Sequence, residues 1–257
     1  MTRVTVENVW KVYGDQTVLE NINFETEPGS FIALVCPSGC GKPTLLLMML
    51  GDEAPTRGRI LIDGVELEDE PSPDRGVVFQ KYSVFPHLTA LQNVMLGLEF
   101  AASPFTGRLF GRKKREARNA SLDMLKSVGL THAVHKYPSE LSGGMQQRLA
   151  IAQALIKKPK ILLLDEPFGA LDPGIRNEVH EIMLRLWREE GMTIFMVTHD
   201  LSEAFKLGTR VIAFDRVRNR PEEQKAYGAT VTFDLKVDGK SAPPQPPADV
   251  TLAAAAQ

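Results

Sequence analysis

With 257 residues, 43% of them hydrophobic and 24% charged, the chain has the material for one α/β domain with a subdomain and too little for two full domains with linkers. A formal net charge of −2 gives no field that draws nucleic acid or an anionic membrane, and two cysteines exclude a disulfide framework and make a reduced cytosolic setting the expectation. No apolar run approaches the ~18 residues that span a bilayer. The opening MTRVTVENVW lacks the apolar core of a signal peptide, so work at a membrane is expected to be peripheral and to need a membrane partner.

Residues 3 to 35 predict three strands. Val4, Val6 and Val9 open the first, Val18, Leu19, Ile22 and Phe24 mark the second, and Phe31 to Val35 form the third. Gly14-Asp15 and Pro28-Gly29 are the turn signals between them. The stretch CPSGCGKPT, Cys36 to Thr44, follows the third strand and precedes an apolar helical run, Leu45 to Leu50, which ends near Gly51. Strand, glycine-rich loop, helix is the context of a phosphate-binding loop. Gly39 and Gly41 let backbone N–H groups turn inward around an anion, and Lys42 adds a positive charge that reaches the outer phosphates. The pattern G-x-x-x-x-G-K-[ST] is broken twice, by Cys36 in place of glycine and by Pro43 in place of Ser or Thr. Pro43 supplies neither a hydroxyl for Mg²⁺ nor an N–H for a phosphate, and each lost charge-assisted bond costs on the order of 1.5–3 kcal/mol. Thr44 keeps a hydroxyl, but one residue on it points elsewhere. Cys36 is the milder departure: a thiol is small but crowds the backbone where glycine allows close approach, and Cys36 and Cys40 are open to oxidation.

Residues 59 to 65 (RILIDGV) predict a strand with an Asp-Gly turn, and residues 76 to 79 (GVVF) a short strand ending at Gln80. From 86 to about 154 the periodicity is helical, with Ala117, Ser121, Met124 and Val128 on one face, which predicts an inserted helical subdomain. Its basic cluster at 108 to 118 (RLFGRKKREAR) reads first as a solvated helix face and second as a contact for lipid headgroups. Residues 161 to 164 (ILLL), 192 to 198 (MTIFMVT) and 211 to 214 (VIAF) are apolar enough for parallel strands buried on both faces, and VIAF is expected to be the last strand. Residues 174 to 190 predict an amphipathic helix through Ile175, Val179, Ile182 and Leu186. The alternation predicts a mostly parallel sheet covered by helices. From about Lys240 a Pro- and Ala-rich tail predicts disorder.

Three stretches carry the chemistry. Asp165 and Glu166 end the strand ILLL, at the strand edge where ligands bind in parallel sheets. Asp165 suits a hold on Mg²⁺ and Glu166 suits polarising the water that attacks a γ-phosphate, although an Asp-Glu pair there can also simply cap a turn. In LSGGMQQR, Leu141 to Arg148, Ser142 reads as a helix N-cap before Gly143 and Gly144, which makes a second anion site or a flexible turn. In FMVTHD the strand ends at Thr198, so His199 stands at the same edge as Asp165, where it can bond a γ-phosphate or orient water.

In this order the pieces resemble the ATP-binding cassette subunits of ABC transporters, over about residues 3 to 215. The resemblance implies a P-loop nucleoside triphosphate hydrolase fold of the ABC type: α/β, a mostly parallel sheet, an antiparallel β subdomain and the helical subdomain at about 86–154, in one ATP-binding domain over 1–239. It implies that Tyr13 stacks on adenine and that Ser38, Gly39, Cys40, Gly41, Lys42, Pro43 and Thr44 line the phosphates. Gln80 senses Mg²⁺, with Asp165 as the other metal-side residue, and couples to the transport partner. Ser142, Gly143, Gly144 and Gln146 close on the ATP held by a second copy. Glu166 is the catalytic base, Asp172 in GALD communicates across the dimer, and His199 is the switch histidine. The implied cofactors are ATP and Mg²⁺. The implied partners are a second ATPase subunit bound head to tail, transmembrane permease subunits met near VFPHLT, and indirectly a solute-binding protein, with no nucleic acid. The implied place is the cytoplasmic face of a bacterial inner membrane.

Within the family, QKYSVFPHLTALQNVMLGLE is similar to the nitrate, sulfonate and taurine importer group, and FDRVRNRPEEQKAYGATVTFDL resembles ATPases of urea-carboxylase systems, which implies a urea- or guanidine-like solute. Two other readings are a regulatory subunit that binds ATP and hydrolyses it poorly because of Pro43 and Cys36, and a soluble cassette ATPase of repair or translation. The latter usually carries two cassettes or coiled-coil insertions, which this chain lacks.

Overall fold

The structure is a computed structural model. It describes residues 2–36, 41–68, 70–80, 84–102, 109–217, 227–237 and 239–240, with residues 42, 43 and 102 described in backbone only. In chain order the elements are β1 (Val4–Tyr13), β2 (Gln16–Glu25), β3 (Phe31–Val35), α1 (Lys42–Leu50), β4 (Arg57–Ile62), β5 (Val65–Glu66), β6 (Arg75–Val78), α2 (Ala90–Ala102), α3 (Gly111–Ser127), α4 (Gly143–Leu155), β7 (Ile161–Asp165), α5 (Pro173–Glu190), β8 (Thr193–Thr198), α6 (Leu201–Leu207), β9 (Arg210–Asp215) and β10 (Thr230–Lys236). They build two sheets. An antiparallel one runs β2-β1-β4-β5, and a larger one runs β10-β9-β3-β8-β7-β6. In the larger sheet β9, β3, β8, β7 and β6 are parallel, and β10 alone runs antiparallel, against β9.

The apolar runs follow from this placement. β3 and β8 are buried along their whole length, and β7 as far as Leu164, because helices or the second sheet cover both faces. Alternate side chains feed different cores. Ile32, Leu34, Leu163, Phe195 and Val197 pack with α1 and the antiparallel sheet. Phe31, Ala33, Leu162, Leu164, Ile194 and Met196 pack with α2, α4 and α5. Each large apolar side chain removed from water contributes about 1.5–3 kcal/mol. The Trp187 indole N–H donates to the Gly29 carbonyl at 2.9 Å, which pins the end of α5 to the turn that feeds β3.

Two expectations shift. VIAF is not the last strand: β10 pairs with β9 from Thr230↔Asp215 to Lys236↔Arg210. Its outer residues are exposed, so it lacks the apolar run that marks the buried strands, and the sequence hid it. On α3 the deeply buried row is Ala117, Ser121 and Leu125, with Val128 just beyond, while Met124 packs at its margin. The basic side chains at the start of α3 are exposed, and Arg112 pairs with Glu116 one turn on at 2.7 Å, as a solvated face does. The Pro- and Ala-rich tail from 241 onward lies outside the described residues.

Candidate active site

β3 delivers the loop to the strand edge, and α1 receives it. Gly41 caps α1 at φ +88°, a left-handed conformation. A β-carbon there would stand 2.6 Å from Val18 Cγ1, so glycine is required both by the backbone and by the close approach of β2. Pro43 sits in the first turn of α1, where a missing N–H leaves no helical bond unmade, and the helix forms regardless. Ser38, Gly39 and Cys40 lie outside the described residues, as does the side chain of Lys42. Cys36 is buried just past the end of β3.

Three predicted residues meet at one carboxylate. The Gln80 amide, just past the end of β6, donates to Glu166 Oε2 at 3.3 Å. His199 Nδ1, one residue past β8, stands 3.4 Å from the same oxygen. Parallel pairing of β6, β7 and β8 in register produces this: Val78 is opposite Leu164, and Asp165 is opposite Val197, so the three strands end together. Glu166 holds φ +43°, and its N–H donates to the Val197 carbonyl at 3.0 Å. A non-glycine residue in this region carries strain of about 1–2 kcal/mol. The bend turns the Glu166 side chain out of the strand toward Gln80 and His199.

The helix start expected at Ser142 is present. Ser142 caps α4 and accepts from the Met145 N–H at 3.4 Å. Gly143 and Gly144 are the first residues of the helix, and Gly144 packs against α5 so closely that a β-carbon would stand 2.2 Å from Ile175 Cγ2. Gln146 turns inward, donating to the carbonyls of Pro138 at 3.0 Å and Leu141 at 3.1 Å, where it shapes the turn ahead of the cap. Asp172 is the N-cap of α5.

Tyr13, 44% exposed at the end of β1, bonds Glu53 through its hydroxyl, which also reaches the Thr44 side chain. Lys11 sits 5.0 Å from the ring centroid and 3.1 Å from Glu53. Burial, and after it the bond to Glu53, pushes the Tyr13 phenol up.

Asn93 escaped the sequence reading. It is fully buried, accepts from the Phe85 N–H at 2.7 Å and donates to the carbonyls of Phe85, Leu88 and Thr89, so one side chain folds the loop downstream of Gln80. The signal was the reciprocal pair Thr89 and Gln92, which cap α2 and fix Asn93 in its first turn.

No group of three His, Cys, Asp or Glu able to hold a metal occurs among the described residues. Asp165 and Gln80 offer two hard oxygens at neighbouring strand ends. That donor set fits a Mg²⁺ that takes its other ligands from phosphates and water. No described helix is long and apolar enough to cross a membrane.

A family described as "ABC transporter" matches residues 19–169. The bicarbonate transport ATP-binding protein CmpD of Synechocystis is 44% identical over 239 residues, covering 91% of this chain and 81% of that one. The glutamine transport ATP-binding protein GlnQ of Escherichia coli is 43% identical over 221 residues, covering 84% and 88%. Among solved structures, a dimeric post-hydrolysis state of the ATP-binding cassette MJ0796 bound to ADP and Pi superposes with TM-score 0.73 at 34% identity, covering 92% of this chain and all of that one.

Proposed function

The chain belongs to the ABC transporter family and is one of its ATPases, and from that premise we propose that it powers uptake of a small polar solute as the peripheral ATPase subunit of a bacterial importer. The observation that carries the proposal is the convergence of Gln80 and His199 on Glu166 at the strand edge where β3 delivers the phosphate loop. Bicarbonate and glutamine, the solutes in the relatives' names, are small and polar. Nitrate-, sulfonate- or taurine-like solutes and urea- or guanidine-like solutes belong to the same range.

ATP lies with its adenine on Tyr13 and its phosphates along residues 38–44. Glu166 accepts a proton from the water whose oxygen attacks the γ-phosphorus, and the bond from that phosphorus to the bridging oxygen breaks to leave ADP and phosphate. His199 bonds the γ-phosphate, and the Gln80 amide holds Glu166 in place. Asp165 and Gln80 would hold Mg²⁺, which would supply charge neutralisation at the phosphates. One chain presents half of each site. A second copy, head to tail, brings Ser142, Gly143 and Gly144 to the γ-phosphate and Asp172 across the interface, so ATP closes the dimer and hydrolysis reopens it. That cycle drives a permease docked near residues 84–89.

Phosphate release by the purified chain tests the chemistry. Glu166→Gln should lower turnover by about 10²–10⁴-fold and should accumulate an ATP-dependent dimer in size-exclusion chromatography. Unchanged turnover refutes the assignment of Glu166. Co-purification with a membrane permease tests the transport role, and stable isolation without one from its native membrane refutes it.

A further inference from the structure

Behind the Glu166–His199 pair lies a buried polar chain that the proposed chemistry does not use. His180 on α5, Glu203 on α6 and Thr198 at the end of β8 are 2%, 5% and 3% exposed. The two oxygens of Glu203 are divided between the others: Oε1 lies 3.0 Å from His180 Nε2, and Oε2 accepts from the Thr198 hydroxyl at 2.7 Å. A carboxylate only accepts, so Nε2 is the donating nitrogen, and Nδ1 has no hydrogen-bond partner among the described residues. The Thr198 oxygen accepts in turn from the Asp200 N–H at 3.1 Å. The residues on either side of His199 are thus fixed by one hydroxyl. On its other side the His180 ring meets Phe168 edge to face at 4.6 Å, and Phe168 is two residues past Glu166.

Arg176, one turn before His180 on the same face of α5, makes a parallel link. Its guanidinium donates to the Leu171 carbonyl at 3.2 Å and reaches Asp200 Oδ2 at 3.4 Å. The other Asp200 oxygen caps α6, accepting from Ser202 and Glu203. One face of α5 therefore ties the loop of Leu171 and Asp172 to the segment that carries His199. Buried polar groups of this kind are costly unless satisfied and hold geometry tightly when they are.

We propose that Arg176 and His180 are positioning residues for His199: this face of α5 joins the Leu171–Asp172 loop and the histidine in one rigid unit, so a movement of that loop by a partner subunit reaches the reacting phosphate through His199. The inference rests on the roles given to Glu166 and His199 above.

The test is a double-mutant cycle on the full chain, read as single-turnover phosphate release at saturating ATP, with KM and thermal unfolding measured alongside. His180→Leu should lower turnover at least tenfold with KM for ATP changed less than twofold. His180→Gln, which keeps an N–H for Glu203, should stay within about threefold of the wild type. In a His199→Ala background His180→Leu should cost less than twofold, because the residue it positions is gone. Equal losses in both backgrounds, or a His180→Gln as slow as His180→Leu, overturn the proposal. Should His180→Leu not fold, Thr198→Val takes its place in the cycle under the same criteria. A wild type that hydrolyses ATP, with a Glu166→Gln that does not, shows that the underlying reading stands whatever the cycle returns. A wild type insensitive to Glu166→Gln refutes that reading instead.

Discussion

Gly144 offers a sharp test of how α4 is seated against α5. An added methyl would lie 2.2 Å from Ile175 Cγ2 and 3.6 Å from Ile175 Cβ, against the roughly 3.5–4.0 Å at which carbon atoms are content. The offending atom is a branch methyl fixed to the β-carbon, so no torsion at the end of a long side chain relieves it. The start of α4 must back away from α5 by about an ångström. Overpacking of this kind costs about 1–3 kcal/mol, and the better helix propensity of alanine returns about 0.5–1 kcal/mol. Gly144→Ala should therefore cost between about 0 and 2.5 kcal/mol. Ile175→Ala removes Cγ2 and leaves Cβ at an ordinary distance, so in that background Gly144→Ala should stabilise by about 0.5–1 kcal/mol. Equilibrium urea unfolding of the four proteins measures this directly. The sign should reverse between backgrounds. A Gly144→Ala effect of the same sign and size in both means that Ile175 is not what demands the glycine.

Replacing Pro43 by serine restores a hydroxyl and an N–H at the first turn of α1, and ATP turnover should rise at least about tenfold. Equal turnover of the two proteins refutes that account of the loop. Asn93→Leu removes four hydrogen bonds from the buried loop around Phe85, and urea unfolding should show a loss of about 2–3 kcal/mol, where a loss under about 0.5 kcal/mol contradicts the role. The Tyr13 hydroxyl first, and Lys11 after it, hold the Glu53 carboxyl below its ordinary 4.5, against the opposing effect of burial. A depressed carboxyl contributes stability that is present above 4.5 and is lost as pH falls through the lower folded-state value. The stability advantage of the wild type over Glu53→Gln should be constant from pH 7 down to about 5 and should shrink below 4.5. A difference that grows on acidification contradicts the sign.

The buried strands were plain in the sequence because both faces of β3, β7 and β8 meet apolar cover, leaving runs that nothing else explains. β10 was not, because an edge strand with exposed outer residues has no such run. The positions of Gln80, Glu166 and His199 could be argued from strand ends, since parallel strands in register finish at one edge. Arg176, His180 and Asn93 could not. Their roles lie in partners 4 to 24 residues away or across a helix pair, and the period of α5 that picks out Val179 is silent on why His180 beside it is buried. The hydroxyl of Thr44 was expected to point away from the metal site, and it faces Tyr13.

Glu166 sits in a left-handed turn that a glycine would enter without penalty. At this position selection for folding and selection for turnover pull apart. Glycine would relieve that backbone strain but has no carboxylate to take the proton in the hydrolysis proposed above. The strained turn and the proposed chemistry therefore make opposite demands on position 166.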